Sequence, residues 1–235
     1  MSRRSERKER NREAVSQGLV TLVDPTNASA EAYRALRTNL FYSPADPRSK
    51  VIVLTSPGPA EGKSTTCANL GVVLAQAGKS TLIIDCDLRK PVIHKAFELR
   101  NLYGVVNVLV GERTFQEVSQ EPLAGLKVVP VGPVPPNPAE LLGSPRFGDL
   151  IGQVRPRFDY VLIDSPPTGL VSDSAILAAQ ADGVLLVLDA GATRKTSVRK
   201  AMRDLKTIGA NVLGTVMNGV DPQKGGYYGY QYTYE

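Results

Sequence analysis

Six short runs of strand-forming residues, separated by helical patterns, constrain this chain more than any other feature. Val51-Ile-Val-Leu-Thr55, Thr81-Leu-Ile-Ile-Asp85, Tyr160-Val-Leu-Ile-Asp164, Gly183–Asp189 and Val212–Met217 are almost continuously apolar, and Lys127–Val131 leads into the Pro-rich turn Gly132–Pro138. Unbroken apolar runs of this length mark strands buried on both faces. Helical spacing covers Lys63–Ala77 up to Gly78, a middle region to about residue 120, a short segment from about Ala139, Ser172–Gln180 and Lys195–Ile208. An earlier helix starts at Asn27 or Ser29, both good N-caps, and runs to about Tyr42 with Tyr33, Leu36 and Leu40 on one face. Strands that alternate with helices need crossover connections. The expected fold is therefore α/β, a mostly parallel sheet with helices on both faces.

The 235 residues, 42% hydrophobic and 22% charged, suit one large α/β domain. That domain is expected over residues 19–220, with a basic flexible arm at 1–18 and a flexible Tyr-rich tail at 221–235. Net charge is +5, but residues 1–13 hold six bases against three acids and so account for +3 of it. The remainder is nearly neutral, and nucleic acid is not expected as a partner. Two cysteines and one histidine exclude a Cys/His zinc site, an iron–sulfur cluster and a disulfide framework. No apolar run approaches the ~20 residues that span a bilayer. The basic start leads into no apolar signal-peptide segment. A cytoplasmic protein is expected.

Gly62-Lys63-Ser64-Thr65 follows a buried strand and opens a helix. Backbone amides of such a loop and the helix N-terminus form an anion cradle. In that setting Lys63 reaches the β/γ-phosphates and the Ser64 hydroxyl is a ligand for Mg²⁺. The general pattern G-x-x-x-x-G-K-S/T is departed from at its first position, where Pro57 stands.

Asp85, Asp87 and Asp164 lie at or just past the carboxyl ends of apolar strands, the edge where ligands of open α/β sheets sit. A P-loop needs carboxylates there to hold Mg²⁺, usually through water. A carboxylate beside the γ-phosphate can also accept a proton from a nucleophile.

In combination these motifs resemble the bacterial tyrosine kinases that regulate capsular and exopolysaccharide synthesis. Asp85-x-Asp87-x-Arg89 resembles their second Walker-type motif, and Asp164-Ser-Pro166-Pro167 followed by Asp173 their Walker B region. Thr55–Ser64 resembles their P-loop, which also lacks the first glycine, and Val131–Leu142 their Pro-rich segment. Glu31-x-x-Arg34-x-x-Arg37 matches their oligomerisation helix, and Tyr227, Tyr228, Tyr230, Tyr232 and Tyr234 their terminal tyrosine cluster. The likeness covers residues 19 to 235.

The resemblance implies a P-loop fold with a deviant Walker A, in the superfamily of partition and division-site ATPases. The switch ATPases of that superfamily carry a signature lysine where Gly58 stands, which argues against them. ATP and Mg²⁺ are the implied cofactors. Gly58, Pro59, Ala60, Glu61, Gly62, Lys63, Ser64 and Thr65 would bind the nucleotide, and Asn218 resembles an adenine-reading Asn. Ser64, Asp87 and Asp164 would hold the metal, while Lys63, Asp85, Asp87 and Arg89 would be catalytic. Asp85 is the preferred base, though Asp85 and Asp87 could exchange roles.

From the residues alone, Glu31, Arg34 and Arg37 could equally be a surface helix with weak ion pairs. The resemblance makes that helix the contact that closes a homo-oligomeric ring. It also implies tail phosphorylation in trans, a separate transmembrane polysaccharide co-polymerase adaptor, an opposing tyrosine phosphatase, and a place at the inner face of the membrane.

Overall fold

Residues 18–42, 50–169 and 172–220 are described by the structure, a computed structural model. The Tyr-rich tail and residues 1–17 of the arm lie outside the described residues. Helices α1 (Val20–Val23) and α2 (Ala28–Phe41) come first. Asn27 caps α2, its Oδ1 accepting the Ser29 N–H at 2.9 Å. Strand β1 (Val51–Thr55) then leads into α3 (Lys63–Gln76), β2 (Thr81–Asp85), and three short helices, α4 (Ile93–Ala96), α5 (Val105–Val110) and α6 (Phe115–Val118). After them come β3 (Gln120–Leu123), β4 (Leu126–Val129), α7 (Pro138–Leu142), α8 (Pro145–Val154) and β5 (Tyr160–Asp164). The described chain closes with α9 (Asp173–Ala179), β6 (Gly183–Asp189), α10 (Lys195–Thr207) and β7 (Val212–Asn218).

The seven strands form one sheet in the order β3-β4-β2-β5-β1-β6-β7. All neighbours are parallel except β3 and β4. Consecutive residues of β1 alternate between two apolar layers. Val51 and Val53 join Phe147, Leu150, Leu177 and Leu205 on one side. Ile52 and Leu54 join Cys67, Leu70 and Leu74 of α3 on the other. Both faces are covered, which is why the central strands read as unbroken apolar runs.

Three segments depart from the sequence expectation. The middle region is three short helices and an edge strand, and Pro122 is tolerated in β3 because an edge strand has one side free of ladder bonds. The strand expected at Lys127–Val131 is Leu126–Val129. Helix α8 was hidden by Gly148 and Gly152, which weaken helical propensity. Burial of Phe147, Leu150, Ile151 and Val154 on one face sustains it.

A buried polar clamp fixes α1 against α3. Asn69 Oδ1 accepts the Thr21 N–H at 3.1 Å and the Thr21 hydroxyl at 2.8 Å. Its Nδ2 donates to the Gly18 carbonyl at 2.6 Å and the Thr65 carbonyl at 2.9 Å. Asn69→Ala should therefore destabilise the chain by roughly 2 kcal/mol, because buried backbone groups lose their partners. Urea unfolding measures this, and a wild-type midpoint would refute the clamp.

Candidate active site

The loop between β1 and α3 is braced from the loop that follows β5. Thr55 Oγ1 donates to the Pro166 carbonyl at 3.0 Å, and Thr168 N–H donates to the Ser56 carbonyl at 2.9 Å. Gly62 takes a left-handed conformation, φ +87°, directly before α3, and a side chain there would collide with the Asn218 amide. No side chain caps α3, so its first amides are left for an anion. A cavity of about 380 Å³ opens over them. Its wall includes Pro59, Ala60, Gly62, Lys63, Ser64, Thr65, Asp87 and Arg89.

The lysine is not solvent-facing. Lys63 is 9% exposed, with Nζ 2.8 Å from Asp87 Oδ2 and 3.0 Å from Ser64 Oγ. Nζ is also 3.5 Å from Asp164 Oδ1, an ionic contact too long for a strong hydrogen bond. Burial works to lower the Lys63 pKa, but the charges of Asp164 and Asp87 outweigh it and leave the ammonium favoured.

Asp164 is fully buried, and neither of its oxygens receives a hydrogen bond. Burial raises its pKa, against the pull of Lys63. Such an orphaned carboxylate fits a metal cation. Among the described residues no group of three or more His, Cys, Asp or Glu is placed to hold a metal. Ser64, Asp87 and Asp164 instead offer a few hard oxygen donors, the partial set that Mg²⁺ completes with water and phosphate.

Asp85 and Asp87 differ in a way their spacing did not show. Asp87 lines the cavity, whereas Asp85 is fully buried behind it. Asp85 accepts the Asp87 N–H at 3.2 Å and the Ile93 N–H at 3.1 Å, which fixes the loop that carries Asp87. Burial, then the Asp164 charge, raises the Asp85 pKa well above the carboxylate range.

Arg89 reaches across to Asp173 at the start of α9, Nε to Oδ2 at 2.9 Å and Nη2 to Oδ1 at 3.2 Å. This fork joins the loop after β2 to the helix after β5. Lys90, Val92, Pro166 and Pro167 also line the cavity and were not singled out as site residues. Pro166 and Pro167 belong to the Asp164-Ser-Pro166-Pro167 motif and Lys90 directly follows the Asp85-x-Asp87-x-Arg89 motif, whereas no local pattern marks Val92.

Gly58, Glu61 and Asn218 stand outside the cavity wall. The Asn218 Nδ2 points at the Glu61 carbonyl at 3.4 Å and so braces the loop. Cys67 and Cys86 are buried, and burial pushes both thiols well up.

Helix α2 uses its charged residues within its own chain. Arg34 donates to Glu31 at 2.7 Å and to the Pro25 carbonyl at 2.6 Å, and Arg37 donates to the Val73 carbonyl at 3.1 Å. Arg37 thus turns toward α3. No helix among the described residues is long and apolar enough to cross a membrane.

Residues 49–214 match a family described as an AAA domain. The chain is 41% identical over 217 residues to the tyrosine-protein kinase YwqD of Bacillus subtilis, covering 92% of each. The solved kinase domain of the Escherichia coli tyrosine kinase Etk superposes with a TM-score of 0.84 at 32% identity, over 92% of this chain and 84% of that one. The cell division ATPase MinD of Pyrococcus furiosus shares the fold less closely, with a TM-score of 0.61 at 26% identity over 72% and 71%. Cavity, acids and likeness agree in kind and in extent: this chain belongs to the bacterial tyrosine-protein kinases.

Proposed function

We propose that this chain transfers the γ-phosphoryl group of Mg²⁺-bound ATP to Tyr227, Tyr228, Tyr230, Tyr232 and Tyr234 of a neighbouring copy. The observation that carries the reading is the Lys63–Asp87–Asp164 cluster at the start of α3, with both Asp164 oxygens buried and unbonded. The residues from Gly58 to Thr65 shape the phosphate cradle, and Lys63 leaves its acid partners to neutralise phosphate charge. Ser64, Asp87 and Asp164 hold the metal, which supplies charge stabilisation at the transferring group.

Of the two acids that could act as base, Asp87 lines the cavity where a tyrosyl hydroxyl can reach it, and Asp85, sealed behind it, fixes the loop that carries Asp87. Arg89 orients the Asp87 loop from its contact with Asp173, and Asn218 steadies the loop beside the adenine. Most of the rate gain comes from positioning and electrostatics.

Capsular or exopolysaccharide synthesis is the process served. The kinase acts at the inner face of the membrane through a separate transmembrane co-polymerase adaptor, and a tyrosine phosphatase reverses its product. Incubation with γ-labelled ATP tests the reaction. Label on the terminal tyrosines supports it, whereas free phosphate without labelled protein indicates a switch ATPase instead.

The same reading includes a ring closed by Glu31, Arg34 and Arg37. Each phosphotyrosine adds about −1.5 to −2 charge, so five reverse the sign of a chain at +5. The unphosphorylated protein should assemble and the fully phosphorylated protein should come apart. Replacing Arg34 and Arg37 with Ala should give monomers in either state. Light scattering before and after ATP treatment decides this, and a double mutant of wild-type mass overturns the ring contact.

A further inference from the structure

The described residues contain four tyrosines, Tyr33, Tyr42, Tyr103 and Tyr160. Tyr33 and Tyr160 are half-buried, and Tyr160 stacks on Phe41. Tyr42 is 82% exposed, but it ends α2, whose last turn has no basic residue. A phosphate there would face the negative end of the helix.

Tyr103 has different surroundings. It is 48% exposed in a segment without helix or strand, beside Leu102 at 71%. The guanidinium of Arg113 lies 4.6 Å from its ring centroid. On another side, Tyr103 and Arg100 both line a hollow of about 460 Å³. Two cations thus border one accessible phenol on a tyrosine kinase.

We propose that Tyr103 is a further phospho-acceptor of this enzyme, and that Arg113 and Arg100 receive its phosphate. The proposal rests on the kinase reading above. In the step, the Tyr103 phenolic oxygen of one copy bonds to the γ-phosphorus of ATP held by another. The bond from that phosphorus to the β–γ bridging oxygen breaks, ADP leaves, and the phenolic proton passes to the donor copy's base.

Glu117 shares the hollow and now holds Arg113 at 3.2 Å. A phosphate carries about −1.5 to −2 charge and three acceptor oxygens, so it outcompetes a single carboxylate for Arg113. Glu117 keeps its bonds from the Thr114 N–H at 2.7 Å and hydroxyl at 2.8 Å, so releasing Arg113 does not strand it. Phosphorylation would tie the segment before Gly104 to the start of α6.

The full chain is incubated with Mg²⁺ and ATP, mapped by mass spectrometry, and then exposed to a tyrosine phosphatase. Phosphate is expected on Tyr103 in the wild type and not in Lys63→Met alone. In the variant with Arg100→Ala and Arg113→Ala it should be removed several-fold faster, with tail phosphorylation unchanged. A phosphorylated tail with unmodified Tyr103 overturns this proposal and leaves the kinase reading standing. Absence of phosphate from both defeats both. Equal removal rates with and without the two arginines overturn their role as receivers.

Discussion

Lys63→Met should lower tyrosine phosphorylation by on the order of 10³-fold, because removal of one preorganised charge at a transferring group costs about that much. The structure adds a cost in stability. A lysine that faced only phosphate could be replaced without harm to the fold. Lys63 instead is buried among Asp87, Asp164 and Asp85, and it supplies the compensating charge. Breaking a buried pair from one side typically costs about 3–5 kcal/mol. Lys63→Met should therefore unfold at lower urea, whereas Lys63→Arg keeps the charge and should stay near wild-type stability while losing activity. Circular dichroism and quantified phosphotyrosine separate the two effects. A folded Lys63→Met protein that phosphorylates at the wild-type rate would remove the lysine from the mechanism.

Asp164→Asn should have opposite effects on activity and on stability. Activity should fall by on the order of 10²-fold, and the Mg²⁺ concentration needed should rise, because the buried metal-directed charge is gone. Stability without nucleotide should increase. Burial raises the proton affinity of Asp164 and Asp85 in the folded chain, so above the ordinary carboxylate range the folded state holds more protons than the unfolded state. Stability then falls as pH rises through that window. Removing one of the two acids should flatten this slope and raise the urea midpoint at neutral pH. A wild-type midpoint indifferent to pH, or an unchanged Mg²⁺ titration in the variant, would count against the assignment.

The sequence by itself determined the central strands of the sheet and the loop that walls the cavity. Strands buried on both faces must be apolar along their whole length, so Val51–Thr55 and Thr81–Asp85 announced themselves as central strands. The Gly62-Lys63-Ser64 turn into a helix and the acids at or just past strand ends are equally local signals. Tertiary structure decided what those residues do, since the deciding contacts join distant parts of the chain. Arg89 meets Asp173 across 84 positions, and Asn69 meets Thr21 across 48. Asp85 and Asp87 stand two residues apart, yet one is sealed behind the other by the Ile93 and Asp87 amides. Arg37 turned inward because the Val73 carbonyl of α3 lay within reach. Periodicity reports only which face a residue shares with its near neighbours, whereas burial and proton affinity depend on what the folded chain packs against that face.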